Sequence, residues 1–205
     1  YKLELPQLPG PKLLRVELQG PADIRPSISI HNEIEAVLKE VSAQKAGDKV
    51  VLPNFYLEDA TQAVYVVVNP RWDHDTKNTY SVKATLLDIE GEVERESNDR
   101  PIEATPLAGK DRIRGYMDQG KRLDKSPWRK YDEDWFKFSF DERKQFSLTL
   151  SGLPEVDLIL SVYNKDGSKR LVEVNANGKK EGEQMPRLVM QDGMVKVSSR
   201  RSHYN

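Results

Sequence analysis

Apolar and polar residues alternate along most of this chain, the period of a strand with one buried face. Tyr1, Leu3 and Leu5 alternate with Lys2 and Glu4. Pro6, Pro9, Gly10 and Pro11 break that run, and Leu14, Val16 and Leu18 then alternate with Arg15, Glu17 and Gln19 up to Gly20-Pro21. Ile24, Ile28 and Ile30 predict a third strand, in which Pro26 marks an edge or a bulge. Val50-Val51-Leu52 and Phe55-Tyr56-Leu57 flank Pro53, and the β-branched run from Ala63 to Val68 predicts a central strand. Tyr80, Val82 and Ala84 give another strand running to Leu87. One segment departs from the alternation. Between His31 and Gly47, residues Ile34, Val37, Leu38 and Val41 fall at helical spacing, which predicts a short helix, with a long decorated hairpin as the alternative.

The pattern resumes after a charged stretch, Glu92 to Asp99. Ile102 to Leu107 and Asp111 to Tyr116 read as short elements around glycines. Phe136, Phe138 and Phe140 share one face of a strand and belong to a core; Phe146, Leu148 and Leu150 predict the next strand, ended by Ser151-Gly152. Leu158, Leu160 and Val162 follow, then a hairpin turn at Asn164-Lys165-Asp166-Gly167, with glycine where positive φ is needed. Leu171 to Val174, Leu188 to Met190 and Met194 to Val197 complete the readable strands.

The two halves match in order and spacing. Tyr1 to Leu5 resembles Phe136 to Phe140, and Leu14 to Gly20 resembles Phe146 to Gly152. Asp23-Ile24 with Ser29 to Asn32 resembles Asp157-Leu158 with Ser161 to Asn164; Pro53 matches Pro186, and Val64-Tyr65-Val66 matches Val195-Lys196-Val197. This predicts an all-β protein of two antiparallel β-sandwich domains in tandem, residues 1–90 and 91–205. The first copy is expected to lack the segment that precedes Phe136 in the second. The second is expected to stop before an equivalent of the Tyr80 to Thr85 strand.

Composition narrows the function classes. In 205 residues, 32 Lys and Arg nearly cancel 33 Asp and Glu, so the basic excess of a nucleic-acid binder is missing. There is no cysteine, which excludes disulfides and thiolate chemistry. No apolar run approaches the ~18 residues of a membrane span. The chain opens on a strand pattern and not on a leader, as expected of a mature form or an excised fragment. His31, His74 and His203 are scattered, and no nucleophile elbow, zinc-protease helix motif or phosphate loop is present. Asp73-His74-Asp75 has no second histidine at ligand spacing. No catalytic residues are assigned, and an unrecognised hydrolase remains the outlying alternative.

The charged stretch carries the candidate chemistry. Glu94, Glu96 and Asn98 are spaced two apart, so an extended backbone puts their side chains on one face, with Asp99 able to fold back. These hard oxygen donors suit Ca²⁺, which takes six to eight oxygens, better than Mg²⁺. Asp132 and Asp134 are the candidates for the remaining donors. A charged, solvated linker is the other reading of the same residues. Trp72 and Trp128 lie in polar loops as candidate ligand-binding residues for a sugar or a peptide, or as rings folded over their own loops. Tyr65 and Tyr163 fall on strands and read as packing residues.

The string Glu94-x-Glu96-x-Asn98-Asp99, Gly115, Asp132-x-Asp134-Trp135-Phe136-x-Phe138, then Leu158-x-Leu160-x-Val162-Tyr163 and Gly167, resembles the bacterial pre-peptidase C-terminal domain family, which includes the collagen-binding domains of clostridial collagenases. The resemblance covers Glu92 to about Val197, and the first copy shares its latter half. It implies a jelly-roll-like sandwich that serves as a non-catalytic appendage of a secreted or periplasmic bacterial protein. It implies calcium held by Glu94, Glu96, Asn98 and Asp99, with Asp132 and Asp134 less secure. The expected function is a binding or structural module, calcium-stabilised and attaching to a protein or a polysaccharide. The alternative is a metal-free interaction or assembly module. The ligand, the parent protein and the oligomeric state are not legible.

Overall fold

The computed structural model describes residues 1–5, 10–58, 63–70, 77–89, 93–107, 112–117, 121–122, 129–130, 132–154 and 156–199. Among these residues the elements are β-strands with one 3₁₀ turn at Pro101–Glu103. The chain divides into two compact units, one of residues 1–97 with 119–127, the other of 98–118 with 128–205. The division therefore falls after Ser97, inside the acidic stretch.

The first unit is a sandwich of two sheets. One takes β1 (Lys2–Glu4), β6 (Ala63–Asn69), β3 (Ser27–His31) and β4 (Val37–Ser42) in that order; the other takes β5 (Val50–Leu57), β2 (Lys12–Gln19) and β7 (Ser81–Asp88). All these strand pairs are antiparallel. The alternating residues read from the sequence line the core between the sheets. Leu14, Val16 and Leu18 from β2 meet Ile28 and Ile30 from β3, Leu52 from β5 and Val64 and Val66 from β6. Burying an aliphatic side chain of this kind contributes about 1.5–3 kcal/mol, which is why the phase of each strand is fixed.

The segment after His31 is a hairpin and not a helix. The Asn32 side chain accepts hydrogen bonds from the Ile34 and Ala36 N–H groups at 3.2 and 2.9 Å, and Glu35 takes a positive φ of 61°. An asparagine that satisfies its own turn competes with helix initiation. The apolar residues that suggested a helix face are not a buried stripe: Ile34 is 83% exposed, while Val41 is buried on β4.

The second unit has a five-stranded sheet ordered β13, β12, β14, β11, β8. Its members are β13 (Arg170–Val174), β12 (Leu158–Tyr163), β14 (Glu183–Ser199), β11 (Glu133–Leu150) and the short β8 (Thr105–Pro106), which runs parallel to β11. Two-residue strands β9 (Lys121–Arg122) and β10 (Arg129–Lys130) complete the element order. Phe136, Phe138, Leu158, Leu160, Val162, Met185, Val195 and Val197 form the buried core. Phe138, Phe140 and Phe146 pack in tilted and edge-on pairs with ring centroids 5.1–5.6 Å apart.

Two pairs of expected strands turn out to be continuous. Phe136–Phe140 and Phe146–Leu150 both belong to β11, and Leu188–Met190 and Met194–Val197 both belong to β14. The intervening Asp141 to Gln145 contains neither glycine nor proline, so nothing stops the strand. The mismatch is absorbed by register shifts between Ser139 and Lys144 and between Phe146 and Leu148. The order β1-β6-β3-β4 of the first unit is retraced by β11-β14-β12-β13 in the second, and the pairing of β2 with β5 is retraced by the C-terminal half of β11 with the N-terminal half of β14.

Candidate functional site

The acidic stretch is not a solvated linker. Glu94 and Glu96 are 0% and 3% exposed, and Asn98, Asp132 and Asp134 are also buried. Asp99 is half-buried. Along the chain, Glu94 and Glu96 belong to the first unit and Asn98, Asp99, Asp132 and Asp134 to the second.

In the first unit, Glu94 to Glu96 lies along β5 as a short parallel addition. Glu96 bridges Phe55, its N–H donates to the Asn54 carbonyl at 3.2 Å, and its carbonyl accepts from the Tyr56 N–H. The extended backbone puts Glu94 and Glu96 on one face, as the spacing predicts, and turns Arg95 to the other, where its guanidinium lies 5.2 Å from the Tyr56 ring centre. The buried Asn54 side chain, from β5, donates to the Glu94 carbonyl at 3.2 Å and to Glu94 Oε1 at 3.3 Å. On β4, Lys39 is 6% exposed, and its Nζ is 3.0 Å from Glu96 Oε2. β4 and β5 are outer strands of the two sheets. The Lys39–Glu96 pair therefore ties one sheet's edge to the segment that lines the other's.

In the second unit, the Asn98 carbonyl accepts from the Trp135 N–H at 2.9 Å, which places it at the start of β11 beside Asp132 and Asp134. The Asn98 amide reaches Thr105 Oγ1 at 3.5 Å, a long contact. Asp134 pairs in register with Val197, and Trp135 packs against Tyr163 with ring centroids 4.7 Å apart. Lys196 Nζ lies 5.6 and 5.8 Å from those two ring centres and 3.3 Å from Glu133 Oε1. Tyr163 is thus a packing residue. Trp72 and Trp128, the candidate ligand-binding residues, lie outside the described residues, as do His74 and His203.

Two residues were not singled out from the sequence. Lys39 carried a signal: read as a strand, Val37-x-Lys39-x-Val41 puts the lysine in phase with Val41, on the inward face. Asn54 gave none, since an asparagine beside Pro53 reads as a turn.

The donor set can be tested for a dication. Glu94, Glu96 and Asn54 supply carboxylate and amide oxygens of the hard type that calcium takes. Asn54 Oδ1 and Asn98 Oδ1 are buried with no hydrogen-bond partner among the described residues. Against this, the Lys39 ammonium already faces Glu96, and an ammonium beside a dication costs Coulomb energy in a low dielectric. Glu94 and Asn54 fit a calcium ligand set; Glu96 fits only if Lys39 turns away.

No protein-family model matches the chain, and no curated protein does. Among solved structures, the crystal structure of PBSX exported protein XepA is similar over 97% of this chain and 80% of its own, at 14% identity and a TM-score of 0.31. A likeness at that level carries no argument about function.

Proposed function

We propose that this chain is a non-catalytic structural and binding module of tandem β-sandwiches, with the acidic stretch as a metal-independent clasp of the first. The observation that carries this reading is the buried Lys39–Glu96 pair. A lysine ammonium supplies the positive charge that the buried glutamate needs, and the backbone of the same stretch extends the β5 edge. The acidic side chains are then parts of the scaffold. Attachment to a protein or polysaccharide outside the cell, and membership of the pre-peptidase C-terminal family, belong to the same proposal and rest on the sequence resemblance.

A second reading is favoured by Asn54 Oδ1, which is buried and has no hydrogen-bond partner among the described residues. Here calcium is taken up at the acidic stretch, with Glu94 and Asn54 as ligands. Thermal melts in excess calcium and in excess EDTA separate the two. Coincident midpoints support the metal-independent clasp; a higher midpoint with calcium, abolished by Glu94→Gln, supports the second reading, because a ligand of the folded state alone stabilises it. Binding to immobilised glycans and matrix proteins tests the attachment role.

A further inference from the structure

Lys39, Asn54, Glu94 and Glu96 form a polar cluster inside the first unit, each at most 6% exposed. Lys39 lies in phase with the buried Val41 on β4. A bulge turns Asn54 inward: Pro53 and Asn54 of β5 stand together opposite Arg15 of β2, between the pairs Leu14↔Phe55 and Val16↔Leu52. β4 and β5 are outer strands of different sheets, and they approach each other. The two glutamates connect the lysine to the asparagine. Lys39 Nζ is 3.0 Å from Glu96 Oε2, carboxylate oxygens of Glu96 and Glu94 come within 4.8 Å of each other, and Glu94 Oε1 accepts from Asn54 Nδ2 at 3.3 Å. Asn54 Oδ1 is buried and accepts no hydrogen bond among the described residues. An amine, an amide carbonyl and two carboxylates able to move protons are thus shut away from water together.

We propose that this cluster is a self-crosslinking site, in which Lys39 Nζ and Asn54 Cγ join in an intramolecular isopeptide bond. The inference rests on the reading of the acidic stretch as a metal-independent clasp, since a calcium ion on Glu94 and Asn54 would occupy the reacting amide. Lys39 passes one proton to Glu96 and attacks Asn54 Cγ as a neutral amine. The second proton it sheds travels through Glu94 to the amide nitrogen, the bond from that nitrogen to Cγ breaks, and ammonia leaves. Nothing is oxidised or reduced. Glu96 keeps the first proton, so an ion pair that burial makes costly becomes an uncharged amide beside an uncharged acid. Ammonia escapes to solvent, which makes the step one-way. The product fastens the outer strand of one sheet covalently to that of the other.

The test is the intact mass of the full chain, purified folded, held at neutral pH and denatured before measurement. The expected mass is that of the sequence less one ammonia. Trypsin should then yield a branched peptide joining Lys39 to Asn54, uncleaved after Lys39. Both are read on the parent protein, so neither depends on a variant folding. Lys39→Arg keeps a positive charge for Glu96 but cannot form the bond, and should return the full mass. Glu94→Gln keeps both reacting groups and should leave most of the chain unlinked. A parent chain of full mass overturns the proposal. So does an ammonia loss that survives Lys39→Arg, because it then comes from an asparagine closing on its own backbone, for which Asn177-Gly178 is suited. Full mass with coincident melting midpoints in calcium and in EDTA removes the bond and leaves the metal-independent clasp standing. Full mass with a midpoint raised by calcium overturns both.

Discussion

Lys39 Nζ sits 3.0 Å from Glu96 Oε2, and both side chains are almost wholly buried. The lysine comes from the outer strand of one sheet, and the glutamate from a segment paired to the outer strand of the other. Two charges removed from water cost several kcal/mol of hydration each, so a pair of this kind contributes little by itself, yet breaking it is expensive. In the first unit it links β4 to the segment that lies along β5.

Replacing the lysine should therefore do more harm than replacing the pair. Lys39→Met is expected to lower unfolding stability by about 3–5 kcal/mol, because it leaves a buried carboxylate without its cation. Lys39→Met combined with Glu96→Gln should recover much of that loss. Urea unfolding of both variants measures the difference; equal destabilisation would show that the loss comes from the packing of the lysine stem instead.

Asn54 should matter through its amide. Asn54→Ala removes both hydrogen bonds to Glu94 and is expected to cost about 1–3 kcal/mol. Under the calcium reading the same change also reduces any calcium-dependent rise in the melting midpoint, so melts with and without calcium read both effects.

Glu17 on β2 accepts from Lys49 and from Arg15, whose Nε lies 2.6 Å away. Lys49 first and Arg15 second hold its carboxyl down to about 2, below its ordinary 4.5. The folded state thus binds the proton less readily than the unfolded one. The group's contribution is fully present above its ordinary range and is lost as the pH falls towards about 2. A carboxyl NMR titration should place its midpoint near 2, and Lys49→Ala should raise it. Glu17→Gln should flatten the acid limb of stability by lowering the neutral plateau, and only slightly, since solvent screens the pair.

Glycines at the start of β14 separate a close approach from an open turn. A Cβ at Gly182 would lie 1.9 Å from the Leu150 carbonyl oxygen, a backbone atom that cannot step aside. Gly182→Ala is expected to cost about 3 kcal/mol, by forcing β11 and β14 apart where they begin to pair. Gly178 has nothing within 4 Å of its Cβ position, so Gly178→Ala should stay within about 0.5 kcal/mol of the parent. Thermal denaturation of the two variants side by side provides the comparison.

Period-two alternation is a local property, and for that reason the sequence alone determined the inward faces of most strands and the all-β class. Leu14, Val16 and Leu18 could face only a core, and Glu94 and Glu96 could share only one side of an extended backbone. Long-range partners were not determined locally. Asn32 turns the chain into a hairpin because β3 and β4 pair, and residues Ile34 to Val41, which suit a helix in isolation, are overruled by that pairing. Nothing near Asp141 says whether two strands or one continuous β11 results; β14 across the sheet decides it. The charged stretch shows the same division. Its donors and their common face were written in the sequence, but the burial that makes them costly, and the lysine that balances Glu96, came from folding: Lys39 lies 57 positions away in the chain and meets the glutamate only when the two sheets close on each other.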